Sequence, residues 1–259
     1  MELSLNGKSA LITGGSKGIG KAIAKTFAEA GAKVMITSRK ADVCELAAEE
    51  IGHGCVWEAG NVGDPEHMEA AIERSVSELG GVDVLVNNAG AVWGEPLESF
   101  SEVGWDKVMD LNVKTIFFMI QTFLPMLKKN AKQNSKTRVI NIGSIDGINT
   151  PYYENYSYSV AKAAVHKLTK VLSAKLISDN IICNAIAPGP FPSKMLGSAV
   201  EHDYSIIAKK NPSKRVGGPE DIAGLAIFLA SKASEYTIGE VVSCDGGLVA
   251  SAGHDLTND

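Results

Sequence analysis

The stretch Ser9-Ala10-Leu11-Ile12-Thr13-Gly14-Gly15-Ser16-Lys17-Gly18-Ile19-Gly20 decides the fold. Its first five residues form a short apolar run that ends at glycine, the mark of a buried strand. A helical pattern then continues through Ala30, where Gly31 stops it, so strand, tight turn and helix follow in immediate succession. The turn is spaced GxxxGxG; it is neither GxGxxG nor a loop ending in GK[ST]. Missing side chains at Gly14, Gly18 and Gly20 let strand and helix approach closely. They also leave backbone N–H groups uncovered at the positive end of the helix, an arrangement suited to a phosphate. A tight turn with no ligand is the other reading of the same residues.

Outward from this unit the cycle repeats. Strand patterns fall at 33–37, 55–58 and 84–86, with helical patterns at 41–51 and 65–79. The second half predicts a helical region over 101–129, interrupted or bent near Pro125, then a polar loop over 131–137. Strands at 139–142, 181–186 and 241–244 and helices at 158–177 and 219–229 complete the pattern. Seven strands alternating with helices imply an α/β protein, a doubly wound, three-layer Rossmann fold around a seven-stranded parallel sheet. No linker or repeat divides the chain, so residues 1–259 are read as one Rossmann-type domain with a substrate-cover segment at about 190–212.

Composition agrees with a large buried core: 259 residues are 45% hydrophobic, and 25 Lys and Arg stand against 30 Asp and Glu for a net charge of −5. Such mild acidity offers no general field for nucleic acid. Cys44, Cys55, Cys183 and Cys244 are scattered without metal-ligand spacing and read as reduced thiols, so no metal is expected. Neither an apolar signal region nor a run of about 18 apolar residues occurs, which predicts a cytoplasmic protein with no membrane insertion.

The sheet's carboxyl edge collects the candidate cofactor residues. Ser16, Lys17 and Ile19 accompany the three glycines of the first turn. A dinucleotide-binding unit often places Asp or Glu at the end of its second strand, for the ribose hydroxyls; here stand Ser38, Arg39 and Lys40. Arg39 offers a charge-assisted fork and Lys17 a second cation, a pair suited to a 2′-phosphate and so to NADP(H) rather than NAD(H). A solvated basic surface is the alternative. Asn61 and Val62 follow the third strand, where Asn61 can address adenine. Asn87, Asn88, Ala89 and Gly90 follow the fourth, where they either stabilise the turn or admit the cofactor.

Tyr158 and Lys162 stand four residues apart on a predicted helix and share one face. A phenol holds its proton tightly at neutral pH, and a neighbouring ammonium stabilises the phenolate. Tyr158 is thus the candidate proton donor to a carbonyl reduced by hydride. Lys162 assists it electrostatically and reaches the nicotinamide ribose. Ser144, after the 139–142 strand, is placed to orient the carbonyl, and Asn112 to hold a water beside Lys162. Core packing of the aromatic ring and snorkelling of the lysine would explain the same spacing. However, Tyr152, Tyr153 and Tyr156 all lack a lysine at the fourth following position.

With these motifs in their order, nearly the whole chain resembles the short-chain dehydrogenase/reductase family. Thr13 to Gly20 resembles its coenzyme turn, Asn87 to Gly90 its central motif, and Asn112, Ser144, Tyr158 and Lys162 its catalytic tetrad. The resemblance implies that Pro188, Gly189 and Phe191 lie beside the nicotinamide and that Ser193 meets the carboxamide. Asn61 replaces the commoner Asp, and Ser144 precedes Tyr158 by one residue more than in many members, which implies a bulged 145–157 loop. Asp245-Gly246-Gly247 resembles a turn found near oligomer interfaces, implying a homotetramer or homodimer.

Within the family the chain is similar to the 3-oxoacyl-thioester reductases, especially the rhamnolipid-biosynthesis branch. Residues Asn141 to Ser144, Ala187 to Gly189 and Phe191 to Ser193 carry that likeness. It implies NADPH-dependent reduction of a 3-oxoacyl thioester, on acyl-carrier protein or coenzyme A, to the 3-hydroxyacyl product. An NADP-dependent ketoreductase or alcohol dehydrogenase for a secondary-metabolite, sugar-derived or steroid-like ketone would keep the same catalytic residues. A nicotinamide-binding protein without turnover would keep the fold. Met195, Leu196, Tyr204, Ile206 and Ile207 are expected to cover an apolar pocket with Trp93 as another wall, or else to pack a lid or subunit interface. Lys209, Lys210, Lys214 and Arg215 either meet a phosphorylated acyl carrier or are simply solvated.

Overall fold

The structure is a computed structural model and describes residues 3–151, 153–192 and 203–252. Seven strands form one parallel sheet in the order β3-β2-β1-β4-β5-β6-β7. They are β1 (Ser9–Thr13), β2 (Lys33–Ser38), β3 (Val56–Ala59), β4 (Val84–Asn87), β5 (Thr137–Ile142), β6 (Ile181–Pro188) and β7 (Val241–Cys244). The helices are α1 (Gly18–Glu29), α2 (Ala41–Ile51), α3 (Pro65–Arg74), α4 (Glu102–Met109), α5 (Thr115–Asn130), α6 (Tyr156–Leu176), α7 (Ser205–Lys210) and α8 (Pro219–Ala230). This is the doubly wound, three-layer Rossmann arrangement that the strand-helix alternation implies.

Alternation along β1 explains how the layers hold. Ala10 and Ile12 face a core shared with Ile23 and Phe27 of α1 and with Ile222 and Ala226 of α8. Leu11 faces the opposite core, with Ile116, Ile120 and Phe123 of α5 and Val165 of α6. Both faces are covered, so the strand reads as one apolar run rather than an alternating one. Strand order reverses between β1 and β4, where Ile12 pairs with Val86. Their carboxyl ends therefore splay the connecting loops apart and open a crevice, the usual ligand position in such sheets.

Helix irregularity falls elsewhere than expected. Pro125 lies inside α5, and the break in the 101–129 region is a π-helical turn at Asp110–Lys114. A second π-helical turn, Ser75–Leu79, ends the 65–79 region. Such turns add a residue without any glycine or proline signal, and often occur at functional sites. The first of them buries Asn112 completely. β5 also starts two residues before its apolar run, because Thr137 and Arg138 are buried there. Thr137 donates to the Leu127 carbonyl at 3.3 Å and Arg138 to the Ser231 carbonyl at 3.4 Å. These bonds to carbonyls let a polar pair continue the strand, although Arg138 Nε has no partner of its own.

Candidate active site

Gly14 and Gly18 hold left-handed backbone, with φ of +64° and +52°, which favours glycine. A Cβ at Gly14 would lie 2.9 Å from the Asn88 amide nitrogen, and one at Gly20 would run into both Asn88 and the Gly14 carbonyl. That closeness has a purpose in the local folding. Asn88 donates to the carbonyls of Thr13 at 2.9 Å and Gly14 at 3.2 Å, while the Thr13 hydroxyl accepts the Asn88 and Ala89 amides at 2.9 and 3.0 Å. Asn88 thus ties the loop after β4 to the glycine turn. Asn87 turns away from the crevice and donates to Asn141 at 2.9 Å across the β4–β5 pair. No side chain caps the start of α1, whose first amides stay available at the crevice.

One cleft of about 2630 Å³ runs along the carboxyl edge. At the glycine turn it is lined by Gly14, Ser16, Lys17, Gly18 and Ile19, and at the ends of β2 and β3 by Ser38, Arg39, Asn61 and Val62. Asn88, Ala89 and Gly90 form its middle; Pro188, Gly189 and Phe191 form the wall after β6. Two expected cofactor residues stand apart from this surface. Gly20 is buried inside α1, where its role is close packing. Lys40 is the residue before α2, with its exposed side chain outside the cleft lining. Asn61 spends its carbonyl on the Gly63 amide at 3.1 Å and keeps its NH2 as a donor. Ser193 lies outside the described residues.

The chemistry-bearing side chains converge from β5 and α6. Ser144 follows β5, is buried, and accepts the Asp146 amide at 3.1 Å. Lys162 donates to the Ile142 carbonyl at 2.8 Å, and its Nζ lies 5.4 Å from the centre of the Tyr158 ring. This bond leaves two ammonium donors for other partners. Burial pushes the Tyr158 phenol well above its ordinary value; the Asp146 carboxylate raises it further, and hydrogen bonding with Ser144 opposes both. Burial pushes Lys162 down to about 8, against the pull of Asp146, so it remains a cation at neutral pH.

The Asn112 side chain is tied to the loop after β4. Its amide donates to the Ala91 carbonyl at 2.7 Å and accepts the Ala91 N–H at 3.1 Å, fixing the loop after β4. A Cβ at Gly90 would sit 2.6 Å from Asn112 Oδ1 and 3.8 Å from Lys162 Nζ, so glycine keeps this corner open. Trp93 departs from expectation: its ring packs on Gly104 of α4 and beneath Lys107, whose Nζ is 4.7 Å from the ring centre, and it does not line the cleft. In the cover segment, Ile206, Ile207, Lys209 and Lys210 of α7 line the cleft, as does Lys214. Tyr204 precedes α7, whereas Met195 and Leu196 lie outside the described residues.

Three neighbours of the site escaped the sequence reading. Asp146 lines the cleft two residues after Ser144, and its carboxyl is raised chiefly by burial, opposed by Asn155 and Lys162. Asn155 is buried before α6; it donates to Asp146 at 3.1 Å and accepts the Ser159 hydroxyl at 2.9 Å. His166 lies one helical turn beyond Lys162. Only for His166 was there a signal, the continued spacing of four. Asp146→Asn is expected to move the basic limb of the reduction pH profile to lower pH, because its charge raises both Tyr158 and Lys162. A pH–rate series on the two proteins checks this; an unmoved limb would separate Asp146 from the Tyr158–Lys162 couple.

A family model described as enoyl-(acyl carrier protein) reductase matches residues 14–249. The rhamnolipids biosynthesis 3-oxoacyl-[acyl-carrier-protein] reductase of Pseudomonas aeruginosa is 42% identical over 254 residues, covering 94% of this chain and 97% of that protein. The chain belongs to the short-chain dehydrogenase/reductase family. Another short-chain dehydrogenase/reductase relative, the 2-dehydro-3-deoxy-D-gluconate 5-dehydrogenase of Dickeya dadantii, is 37% identical over 95% of this chain and 97% of its own length. Among solved structures, the Pseudomonas aeruginosa RhlG/NADP active-site complex superposes with a TM-score of 0.91 at 39% identity, covering 96% of this chain and 98% of that one. Short-chain dehydrogenase/reductase relatives at this level of identity thus act on different substrate classes. No helix of the described residues is long and apolar enough to cross a membrane, and those residues contain no cluster of metal-ligating side chains.

Proposed function

We propose that this oxidoreductase reduces 3-oxoacyl thioesters, on acyl-carrier protein or coenzyme A, to 3-hydroxyacyl products. The supporting observation is the 42% identity, over 94% of the chain, to a 3-oxoacyl-[acyl-carrier-protein] reductase. NADP(H) is the cofactor. The uncapped start of α1 and the glycine cradle fit its pyrophosphate, and Lys17 and Arg39 fit its 2′-phosphate.

When bound, NADPH supplies hydride to the substrate's carbonyl carbon as the carbon–oxygen π bond opens. Tyr158 delivers its phenolic proton to the oxygen that gains charge, and the ammonium of Lys162 stabilises the phenolate left behind. Ser144 aligns the carbonyl oxygen toward the phenol by hydrogen bonding. Proton uptake from solvent restores Tyr158, and the reverse sequence oxidises the alcohol. Asn112 and Asn88 hold the loops that shape this cleft.

A second reading, reduction of a hydroxylated, sugar-derived ketone, is favoured by the polar wall of Asp146, Asn149, Thr150 and Asn155. Asp146 already accepts from Asn155, and its second carboxylate oxygen can take a substrate hydroxyl, which a hydrocarbon chain does not supply. NADPH consumption across short and long 3-oxoacyl thioesters, keto-sugar acids and neutral ketones separates the readings. Turnover of 3-oxoacyl thioesters at least tenfold above the other classes is expected. Negligible thioester reduction beside rapid keto-sugar reduction would sink the first reading. The whole chain is read as one cytoplasmic catalytic unit that assembles as a homotetramer or homodimer and has no nucleic-acid partner. Lys209, Lys210 and Lys214 offer positive charge to a phosphorylated acyl carrier.

A further inference from the structure

Tyr158, Lys162 and His166 recur at intervals of four along α6 and so share one helical face. The first two carry the proton chemistry; His166 reaches the turn that carries Ser144. His166 is buried, and its Nε2 accepts the Ser144 backbone N–H at 3.5 Å. The ring also lies beside Gly147, the last residue of the Ile145–Gly147 turn.

Glycine at 143 leaves room for this ring. A Cβ at Gly143 would collide with His166 Nε2, and one at Gly147 would lie 2.8 Å from Cε1. Gly143 thereby admits the imidazole, while Gly147 first makes room for the α6 backbone at Lys162 and Ala163, which lies closer to it than the ring does. An Nε2 acceptor requires the neutral tautomer with its proton on Nδ1. Burial, reinforced by the positive charges of Lys162 and Lys170, lowers His166 to about 4, which keeps the ring neutral in the working pH range.

We infer that His166 is a positioning residue for carbonyl reduction: its neutral ring anchors the Ser144 amide and so holds the Ser144 hydroxyl toward Tyr158 and the substrate carbonyl. The inference concerns orientation of the shared catalytic residues and is independent of which ketone the enzyme prefers. His166 does not line the cleft, so its effect should fall on kcat and leave cofactor affinity alone.

The test compares His166→Leu, which removes the acceptor, with His166→Gln, which keeps an amide at the position of Nε2. Both are assayed with NADPH and the ketone the parent enzyme turns over fastest. His166→Leu should lose roughly 10- to 100-fold in kcat, the scale expected for a misplaced catalytic group, with NADPH Kd unchanged. His166→Gln should recover most of the loss. Independently, 15N spectra of the histidine-labelled parent, assigned by the signal missing in His166→Gln, should show the Nδ1–H tautomer from pH 5 to 8. Should His166→Leu fail to fold, this tautomer and the His166→Gln kcat decide the matter. A parent ring protonated on Nε2, a His166→Leu enzyme with parental kcat, or a His166→Gln enzyme with a kcat loss of 10-fold or more would each overturn the inference.

Discussion

Tyr158→Phe should lower kcat for ketone reduction roughly a thousandfold, within the range for loss of a general acid, while NADPH binds as tightly as to the parent. The substitution removes one oxygen from a side chain that the cleft already desolvates, so packing is preserved and the proton is not. The phenol is held above its ordinary pKa by burial first and Asp146 second, with Ser144 opposing. It therefore enters reduction protonated at neutral pH, the form the reaction consumes. Lys162 sets the other condition. Burial lowers it to about 8, so its stabilising charge is present below that pH and lost as pH rises through it. The parent's kcat/KM, which reports the free enzyme, should consequently fall on the basic side near pH 8. NADPH fluorescence titration and steady-state reduction on parent and variant check both parts. Turnover within tenfold of the parent would remove Tyr158 from the role of proton donor.

The residues of that prediction were legible because helix geometry converts a spacing of four into proximity. The first glycine turn was legible for a similar reason: β1 is buried on both faces and glycine is required at two positive-φ positions. Asn112 was harder. Its motif position could be read, but its partner could not, because a π-helical turn with no sequence signal directs the side chain to Ala91. Trp93 suggested a pocket wall by its size, yet packing on Gly104 turns it toward α4. Asp146 and Asn155 come from a polar stretch that reads as an ordinary loop. Their significance depends on α6 and β5 meeting in space, which local pattern does not encode.

Arg39→Ala should weaken NADPH binding roughly 10- to 100-fold, the scale of a lost charge-assisted hydrogen-bond pair, and leave NADH binding nearly unchanged. β2 ends in the cleft with Ser38 and Arg39, where an acidic side chain would instead favour ribose hydroxyls. Lys17 lines the same end of the cleft from the glycine turn. If both cations hold one 2′-phosphate, Arg39→Ala and Lys17→Ala should combine non-additively, because each loss changes the environment left to the other. Both side chains are exposed, so the NADPH advantage should also shrink as salt is raised. Lys40, outside the cleft, supplies the internal comparison: Lys40→Ala should retain the parent's ratio of NADPH to NADH affinity. Fluorescence titrations at two ionic strengths measure every term. Equal losses of NADPH and NADH affinity in Arg39→Ala would assign Arg39 to the shape of the β2 loop instead of to the phosphate that distinguishes the two cofactors.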